Sequence, residues 1–302
     1  MIFSRLINEF CHIGLHKREL FRLSKKHLLL ILCLFTNVAL SHNKYIVIYP
    51  GTAGDWYMSL LLQHVLSYSQ DKTYQIQAFG DHIPKNRFFE LLAKNDGLDV
   101  VFAGSNLERE YLYRAVHFPI LRGLNGWRIP LVRRNNLDLF KDVHTLDAFK
   151  KLIPGQFHTW SDSEVLEANG ITVTKGTDYE GLFGMLSKGR FDYFPRSILE
   201  IDSDYLNHKN LNIAIEPNII IHYPTAYYFF VNKDNEELAA DLLAGLEAAQ
   251  LDGSFNELFM RYYGEQVNKV IDTKRRVIQL QNPLLPATTP LERSDLWIKL
   301  AH

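Results

Sequence analysis

Short apolar runs alternate with amphipathic stretches in the region that follows residue 42. The runs Lys44–Pro50, Tyr74–Gly80 and Leu98–Gly104 are rich in β-branched and aromatic residues, which predicts three strands. Between them, Asp55–Ser69 and Asn86–Asn95 repeat apolar residues at helical spacing, and the first of these helices begins with a residue suited to an N-cap. The alternation of strand and helix predicts an α/β fold in which a parallel sheet carries helices on its faces.

A second alternating unit begins at the strand predicted over Gly126–Arg134. Pro130 favours a position at a sheet edge or at a crossing point, because proline cannot donate a ladder hydrogen bond. The helices that follow show local signals, with Thr145 as an N-cap, Gly170 as a stop and Pro195 at the first position of the last helix. The chain is therefore predicted to hold two α/β units.

The last third of the chain returns to strands, then helices, and ends without a clear period. Leu211–Lys233 predicts two or three strands interrupted by prolines. Asn235–Gly253 and Ser254–Gly264 predict two strong helices. From Val267 onward three prolines break any regular pattern, which predicts an extended arm over the surface.

The first forty residues differ from the rest and resemble a secretion signal. Two lysines precede the apolar run Leu28–Phe35, which is too short to span a bilayer as a helix. The small residues Ala39 and Ser41 predict cleavage before His42. An uncleaved membrane anchor is the alternative, because the segment before the apolar run is long.

Composition narrows the class of protein further. Both cysteines lie in the predicted signal, so the chain from residue 42 is expected to fold without a disulfide. That part holds 27 of the 33 basic and 32 of the 34 acidic residues, a net charge of −5. A mildly acidic chain argues against binding to nucleic acid or to an anionic membrane surface.

Motifs for catalysis are missing from the sequence. The stretch "GTAGDW" lacks the Gly-Lys-Ser/Thr of a phosphate loop, and no Gly-x-Ser-x-Gly occurs. In the sequence from residue 42 onward, no His-x-x-x-His or cysteine pair indicates a metal site. We therefore expect a protein that is not an enzyme and that uses no cofactor and no metal.

Candidate ligand-binding residues follow from the position of the strand ends. In open α/β folds the ligand lies at the carboxyl ends of the strands. Residues of suitable chemistry at those ends, and at the start of the crossing strand, are Tyr49, Trp56, Ser105, Arg109, Trp127, Arg128, Tyr193 and Arg196. Arg114 is an alternative to Arg109, and packing or surface roles are the alternatives for the aromatic residues and for Arg128.

Arg196 lies in the stretch "GRFDYFPRS", which is interpreted as a strand-to-helix junction that faces the ligand. Free N–H groups at a helix start favour an anion, and a guanidinium adds paired donors. This interpretation predicts that Arg196→Ala weakens ligand binding with little loss of stability. The alternative is an ion pair with Glu200 four residues later along the helix.

Three stretches together carry a resemblance to a known family. They are "LDVVFAG" followed by "EREYLYRAVHFPI", then "LSKGRFDYF", then "AYYFFVNKDNEELAADLLAGLEAAQLDGSFNELFMRYYG". In order and spacing they resemble the family 3 extracellular solute-binding proteins, which have the two-lobed type 2 periplasmic binding protein fold. The resemblance covers most of the chain after residue 42.

The resemblance implies a domain organisation. Residues 1–41 would be the signal peptide, 42–125 the first part of lobe 1, 126–212 lobe 2, 213–266 the return to lobe 1, and 267–302 a C-terminal arm. Two crossings between the lobes would permit a hinge rotation on ligand binding.

The resemblance also implies a function. The chain would be a monomeric periplasmic protein that closes two lobes on a small polar solute, either anionic or amino-acid-like, for transport uptake. Its partner would be an inner-membrane permease or a sensor. A dehydratase-like periplasmic enzyme of the same fold, and a module that senses a ligand or binds a protein, are the alternatives.

Overall fold

The computed structural model describes residues 43–54, 56–80 and 87–299. The predicted signal, its cleavage site and the proposed cap Asp55 lie outside the described residues. The strands in chain order are β1 (Asn43–Tyr49), β2 (Lys72–Ala78), β3 (Val100–Gly104), β4 (Arg114–Ala115), β5 (Trp127–Arg133), β6 (Gly155–Phe157), β7 (Thr174–Gly176), β8 (Tyr193–Ser197), β9 (Ile213–Ile215), β10 (Ile219–His222), β11 (Tyr227–Val231) and β12 (Arg276–Gln279).

The α-helices connect these strands. They are α1 (Tyr57–Leu66), α2 (Phe88–Ala93), α3 (Leu107–Leu112), α4 (Leu146–Phe149), α5 (Ser161–Ala168), α6 (Tyr179–Ser187), α7 (Ile201–Asn207), α8 (Glu236–Asp252) and α9 (Ser254–Ile271). The Thr145 side chain accepts a hydrogen bond from Ala148 N–H at 3.2 Å, and Gly170 has a φ of 78°. The predicted cap and the predicted stop are thus confirmed.

The strands pair in two separate groups. In the first, β1 pairs with β2, and β11 lies between β3 and β4 in antiparallel pairing. The backbone N–H of Asp99 donates to Ile48 at 2.9 Å and links β1 to the start of β3. In the second group β5 is central, with β8 on one side and β9 and β10 on the other, while β12 extends the sheet beyond β10. The short pair β6 and β7 is parallel.

The two central prolines of the second sheet stand opposite each other. Pro130 of β5 is in register with Pro195 of β8. Neither proline can donate a backbone hydrogen bond. In an antiparallel ladder, pairs of opposite residues that exchange hydrogen bonds alternate with pairs that do not, so the two prolines can form a pair of the second kind. On its other side, β5 changes partner from β10 to β9 between Arg128 and Leu131, so Pro130 lies in a gap of that ladder.

These pairings correct two of the predictions. The strand that contains Pro130 is not an edge strand, because it has neighbours on both sides. The helix predicted to open at Pro195 begins at Ile201, and Pro195 is the middle residue of β8. A proline with φ near −65° suits a helix start and a strand alike, so local sequence could not separate the two.

The chain leaves the second sheet later than the resemblance implied. β9 and β10 both pair with β5, whereas β11 pairs with β3. We therefore propose that the return to the first lobe lies between His222 and Tyr227 rather than at Ile213. The predicted arm is also shorter, because α9 continues to Ile271 and β12 pairs in parallel with β10.

Three apolar clusters hold the described residues together. The largest contains α1, α8 and α9 with parts of both sheets, and it includes Leu62, Phe194 and Phe259. A second, under the second sheet, contains residues such as Phe140 and Tyr193. The third lies behind β11 and β3 and includes Tyr228, Phe230 and Leu92.

The contact of α8 with α1 requires a glycine. A Cβ added to Gly245 would lie 2.0 Å from the carbonyl oxygen of Val65. Both helices bury their facing side chains in the largest cluster, among them Leu61, Leu242 and Leu246. Gly245 therefore allows the two backbones to approach closely.

Candidate functional site

A cavity of about 180 Å³ lies where the two groups of strands meet. Its walls come from the end of β3 with the start of α3, from the first turn of α5, and from the start of β5. The segment 223–226 and the residues Asn282 and Leu284 complete the lining. The cavity thus has the position that the strand-end rule predicts.

Arg109 supplies the positive charge on the first side of the cavity. The side chain of Asn106 accepts the Arg109 N–H at 2.8 Å and caps α3, which fixes the position of the arginine. Its Nη1 donates to the carbonyl of Gly104 at 2.6 Å, and the guanidinium lies 5.4 Å from the centre of the Phe89 ring. Burial lowers the pKa of Arg109, and the nearby Tyr227 and Glu108 offset this lowering only in part.

Arg109 differs from Arg114, the other candidate at this position. Arg114 forms an ion pair with Glu236 at 2.6 Å and donates to the carbonyl of Lys233. Arg109 has no carboxylate within ion-pair distance among the described residues. The cavity is therefore lined by Arg109 and not by Arg114.

Ser105 lines the cavity, but its hydroxyl takes part in a hydrogen-bond network around Glu110. Its Oγ donates to Glu110 Oε1 at 2.5 Å, and Glu110 Oε2 accepts from His117 Nε2 at 2.9 Å and Thr288 Oγ1 at 2.7 Å. Burial alone would raise the pKa of Glu110, but the hydrogen bonds from His117, Ser105 and Thr288 lower it overall. The network holds α3 beside the cavity.

Arg128 faces the cavity from the second sheet as half of an ion pair. Its Nη2 lies 2.6 Å from Asp162 Oδ1, and the Tyr223 hydroxyl donates to the same oxygen. Burial is the largest single effect and opposes the charge of Arg128, but Asp162, Tyr223 and Glu200 together outweigh it and raise the pKa of the guanidinium. Because the two charges cancel, this wall offers polar atoms without net charge.

One donor of Arg128 is unused. Its Nε is buried and has no hydrogen-bond partner in the described part of the chain. An unsatisfied buried donor costs about 1–3 kcal/mol, and this nitrogen is closed off from the cavity by the packing around it.

Trp127 and Tyr193 do not line the cavity, so their assignment as ligand contacts stays a prediction that this geometry does not support. Trp127 is buried and stacks on the His222 ring with centroids 4.0 Å apart. Tyr193 is fully buried between Phe140 and Phe149. Side chains alternate along β8, and Tyr193 faces the interior cluster.

Tyr49 and Trp56 lie together but away from this cavity. Their ring centroids are 6.5 Å apart, and Trp56 contacts Phe102 edge-on at 5.1 Å. Tyr49 borders a separate cavity of about 410 Å³ between β2 and α1. Their role as ligand contacts stays a prediction that this geometry does not support.

Arg196 is the clearest departure from the expected site. It lies in β8 with 3% of its surface exposed, and its Nε donates to Asp204 at 2.6 Å. Its Nη2 donates to Glu200 at 2.8 Å and to the Tyr179 hydroxyl at 3.2 Å. The guanidinium also lies 4.9 Å from the centre of the Trp160 ring. Arg196 is thus an interior ion-pair residue whose Nε and Nη2 donors are already occupied.

Sequence reasoning missed several residues of the cavity. Asp162 follows the end of a predicted strand, and the strand-end rule could have found it. Tyr223 and Thr225 lie in the crossing segment, which gave no local signal of its own. Asn282 and Leu284 lie in the tail, where no period was present to suggest contact with a cleft.

His222, beneath the cavity, is expected to make stability depend on pH. Burial lowers its pKa from the usual 6.5, although a hydrogen bond with Gln279 opposes the shift. The folded protein then keeps this ring neutral while the unfolded chain takes up a proton, so stability falls as pH drops below about 6.5. Urea unfolding at pH 7.5 and 5.5 should show this loss, and His222→Gln should reduce it.

A matched control is the same change at His158, which is exposed. In His158→Gln, the difference in the free energy of unfolding between pH 7.5 and pH 5.5 should be the same as in the wild type. If His222→Gln lost as much stability between pH 7.5 and pH 5.5 as the wild type, another group would be responsible for the pH dependence.

The described residues hold neither a cluster of metal ligands nor a helix that could span a membrane. No group of three or more His, Cys, Asp or Glu side chains is placed to hold a metal ion within that part of the chain. None of the helices there is both long and apolar enough to cross a membrane.

Comparison with known proteins shows similarity in structure but not in sequence. No protein-family profile matches the chain, and no curated protein matches it. A probable amino-acid ABC transporter extracellular-binding protein from Bacillus subtilis is 16% identical with a TM-score of 0.54, and the match covers 74% of this chain and 99% of that one.

Two structures of an ancestral arginine-binding protein match in the same way. The arginine-bound form is 16% identical with a TM-score of 0.50, and the match covers 72% of this chain and 98% of the other. The glutamine-bound form is 15% identical with a TM-score of 0.50, and the match covers 74% of this chain and 100% of the other. The chain has the two-lobed α/β fold of the periplasmic binding proteins, as its sequence predicted.

Proposed function

We propose that this chain is an exported solute-binding protein whose cavity holds a small polar solute with a carboxylate or similar anionic group. The half-buried guanidinium of Arg109 carries the proposal. Its burial is unfavourable, as the lowered pKa indicates, because the nearby Glu108 offsets the burial only in part and no described carboxylate lies within ion-pair distance. An anion in the cavity would supply that compensation through paired, charge-assisted hydrogen bonds.

The size and lining of the cavity favour a small solute. About 180 Å³ corresponds to roughly six water molecules at ~30 Å³ each. Arg109 would bind the anionic end, and the polar side chains of the opposite wall, among them Arg128 and Asp162, would face the rest of the solute. The descriptions of the structural neighbours name arginine and glutamine as ligands, which supports an amino-acid-like solute.

The setting of this function is proposed from the same sources. The predicted signal at residues 1–41 supports export to the periplasm. The neighbour from Bacillus subtilis is described as part of an ABC transporter, which supports delivery of the solute to a membrane permease. No catalytic step is assigned to the cavity.

The proposal predicts that Arg109→Ala weakens solute binding by about 10- to 100-fold. A charge-assisted hydrogen bond contributes ~1.5–3 kcal/mol, and each ~1.4 kcal/mol corresponds to a factor of ten in affinity. Isothermal titration calorimetry with glycine, L-alanine, L-glutamine and L-arginine would measure the change.

Arg114→Ala is the matched control. It removes the same charge five residues away, where the partner Glu236 is mostly exposed. Its affinity should stay within about twofold of the wild type, since exposed ion pairs contribute ~0–1 kcal/mol. Wild-type affinity in Arg109→Ala would contradict the proposed site.

A further inference from the structure

The C-terminal arm begins on the second sheet and stays attached to it as far as Gln281. Leu280 N–H donates to the carbonyl of His222 at 2.8 Å, which continues the pairing of β12 with β10. Asn169, at the end of α5, then holds Gln281 by two bonds. Its Nδ2 donates to the Gln281 carbonyl at 2.7 Å, and its Oδ1 accepts the Gln281 N–H at 3.0 Å.

The arm crosses to the first sheet between two consecutive leucines. Leu284 packs against the apolar cluster of the second sheet, whereas Leu285 packs against the cluster behind β11 and β3. Asn282 stabilises the crossing, because its Nδ2 donates to the Pro224 carbonyl at 2.8 Å and its Oδ1 accepts the Leu284 N–H at 3.1 Å. This crossing is a third connection, beside those at Gly126 and at 223–226.

Beyond the crossing, the arm is attached to the helix that carries Arg109. Thr288 Oγ1 donates to Glu110 of α3 at 2.7 Å. Farther along, Arg293 forms two bonds with Glu247 of α8, at 2.9 and 3.1 Å. The segment Gln281–Thr288, here called the strap, thus joins the end of α5 to α3, and both helices line the cavity.

We propose that the strap is a third wall of the solute site and that Leu284 limits the size of the solute. This inference rests on the proposed function. Leu284 and Asn282 both line the cavity, which is otherwise mostly polar. A branched apolar side chain at this wall excludes solute atoms without offering them a hydrogen bond. One methylene more or less at an apolar contact changes affinity by about 10- to 200-fold.

The strap assignment predicts a change in solute preference when Leu284 is replaced. Leu284→Ala makes room, so the affinity ratio of L-glutamine to L-alanine should rise about tenfold or more. Leu284→Phe fills space and should shift the ratio in the opposite direction by a similar factor. Calorimetry with glycine, L-alanine, L-glutamine and L-arginine would measure the ratios. Leu291→Ala, an exposed leucine of the same arm outside the strap, should leave them within about twofold.

A labelling experiment tests the same wall without relying on preference. In the full chain, Leu284→Cys should react with iodoacetamide more slowly when a bound amino acid from the panel is present, by about tenfold. Leu291→Cys should react at an unchanged rate. Peptide mapping by mass spectrometry separates these sites from Cys11 and Cys33.

The outcomes distinguish the two proposals. If the wild type binds a probe but the folded Leu284 variants keep its preference and Leu284→Cys is not protected, the strap is not a wall of the site and the proposed function stands. If the wild type binds none of the probes, the proposed function fails and the strap assignment fails with it. Melting curves identify a Leu284 variant that does not fold. In that case, the protection of Leu284→Cys from iodoacetamide by a bound probe decides whether the strap lines the site.

Discussion

Replacing Arg196 by alanine is expected to lower the free energy of unfolding by about 3–5 kcal/mol. The change leaves the Asp204 carboxylate buried without its arginine, and breaking a buried ion pair costs that much in other proteins. It also removes a guanidinium packed against the Trp160, Tyr179 and Phe194 rings. The melting temperature should fall by roughly 6–20 °C for a chain of this size.

Glu200→Ala is the control for this prediction. Glu200 bonds to the same guanidinium, but half of its side chain is exposed, so its loss should cost less than about 1 kcal/mol. Urea unfolding of both variants and of Asp204→Ala would measure the difference. If Arg196→Ala melted like the wild type but lost solute binding, the original expectation of an exposed anion-binding arginine would be correct instead.

Replacing Gly245 by alanine is expected to lower the free energy of unfolding by up to about 2 kcal/mol. The new methyl group would overlap the carbonyl oxygen of Val65, a backbone atom that cannot rotate away. Relief therefore requires α8 to move from α1, and overpacking of this kind costs ~1–3 kcal/mol. The ~1 kcal/mol that alanine gains over glycine within a helix offsets part of this cost, which leaves a net destabilisation.

Gly264→Ala provides a control with the opposite expected sign. Gly264 lies inside α9, and a Cβ there would meet its nearest neighbour, Met260, at an ordinary 3.7 Å. The substitution should stabilise the protein by up to about 1 kcal/mol through helix propensity alone. Urea unfolding of both variants compares the signs. Stabilisation by Gly245→Ala would show that α1 and α8 pack less closely than described.

The sequence predicted the fold because its strongest signals are local. The first strand-helix-strand units, the cap at Thr145 and the stop at Gly170 appear where helical and strand periods predicted them. Ser105 and Arg109, predicted after a strand end, and Arg128, predicted at the start of the crossing strand, line one cavity. These residues follow directly from where strands end or begin, and no knowledge of distant partners was needed.

The predictions that failed are those whose outcome depends on distant parts of the chain. Pro195 continues a strand because Pro130 stands opposite it, some sixty residues away. With β8 extended to Ser197, Arg196 points into the interior and pairs with Asp204. Likewise, β12 is a strand because β10 is available beside it, and its four residues carry no signal of their own.

The order in which the chain is synthesised has a consequence for when the cavity can exist. The first sheet lacks its middle strand until β11 has been made, since β3 and β4 pair only with that strand among the described elements. Asn282 and Leu284 emerge later still, within the last tenth of the polypeptide. Chains grow from the N-terminus, so a ribosome-bound fragment already carries Arg109 and Arg128 but cannot enclose a solute between them. The lining of the cavity is complete only when nearly the entire polypeptide is present, so a chain that stops before Asn282 lacks one of its walls.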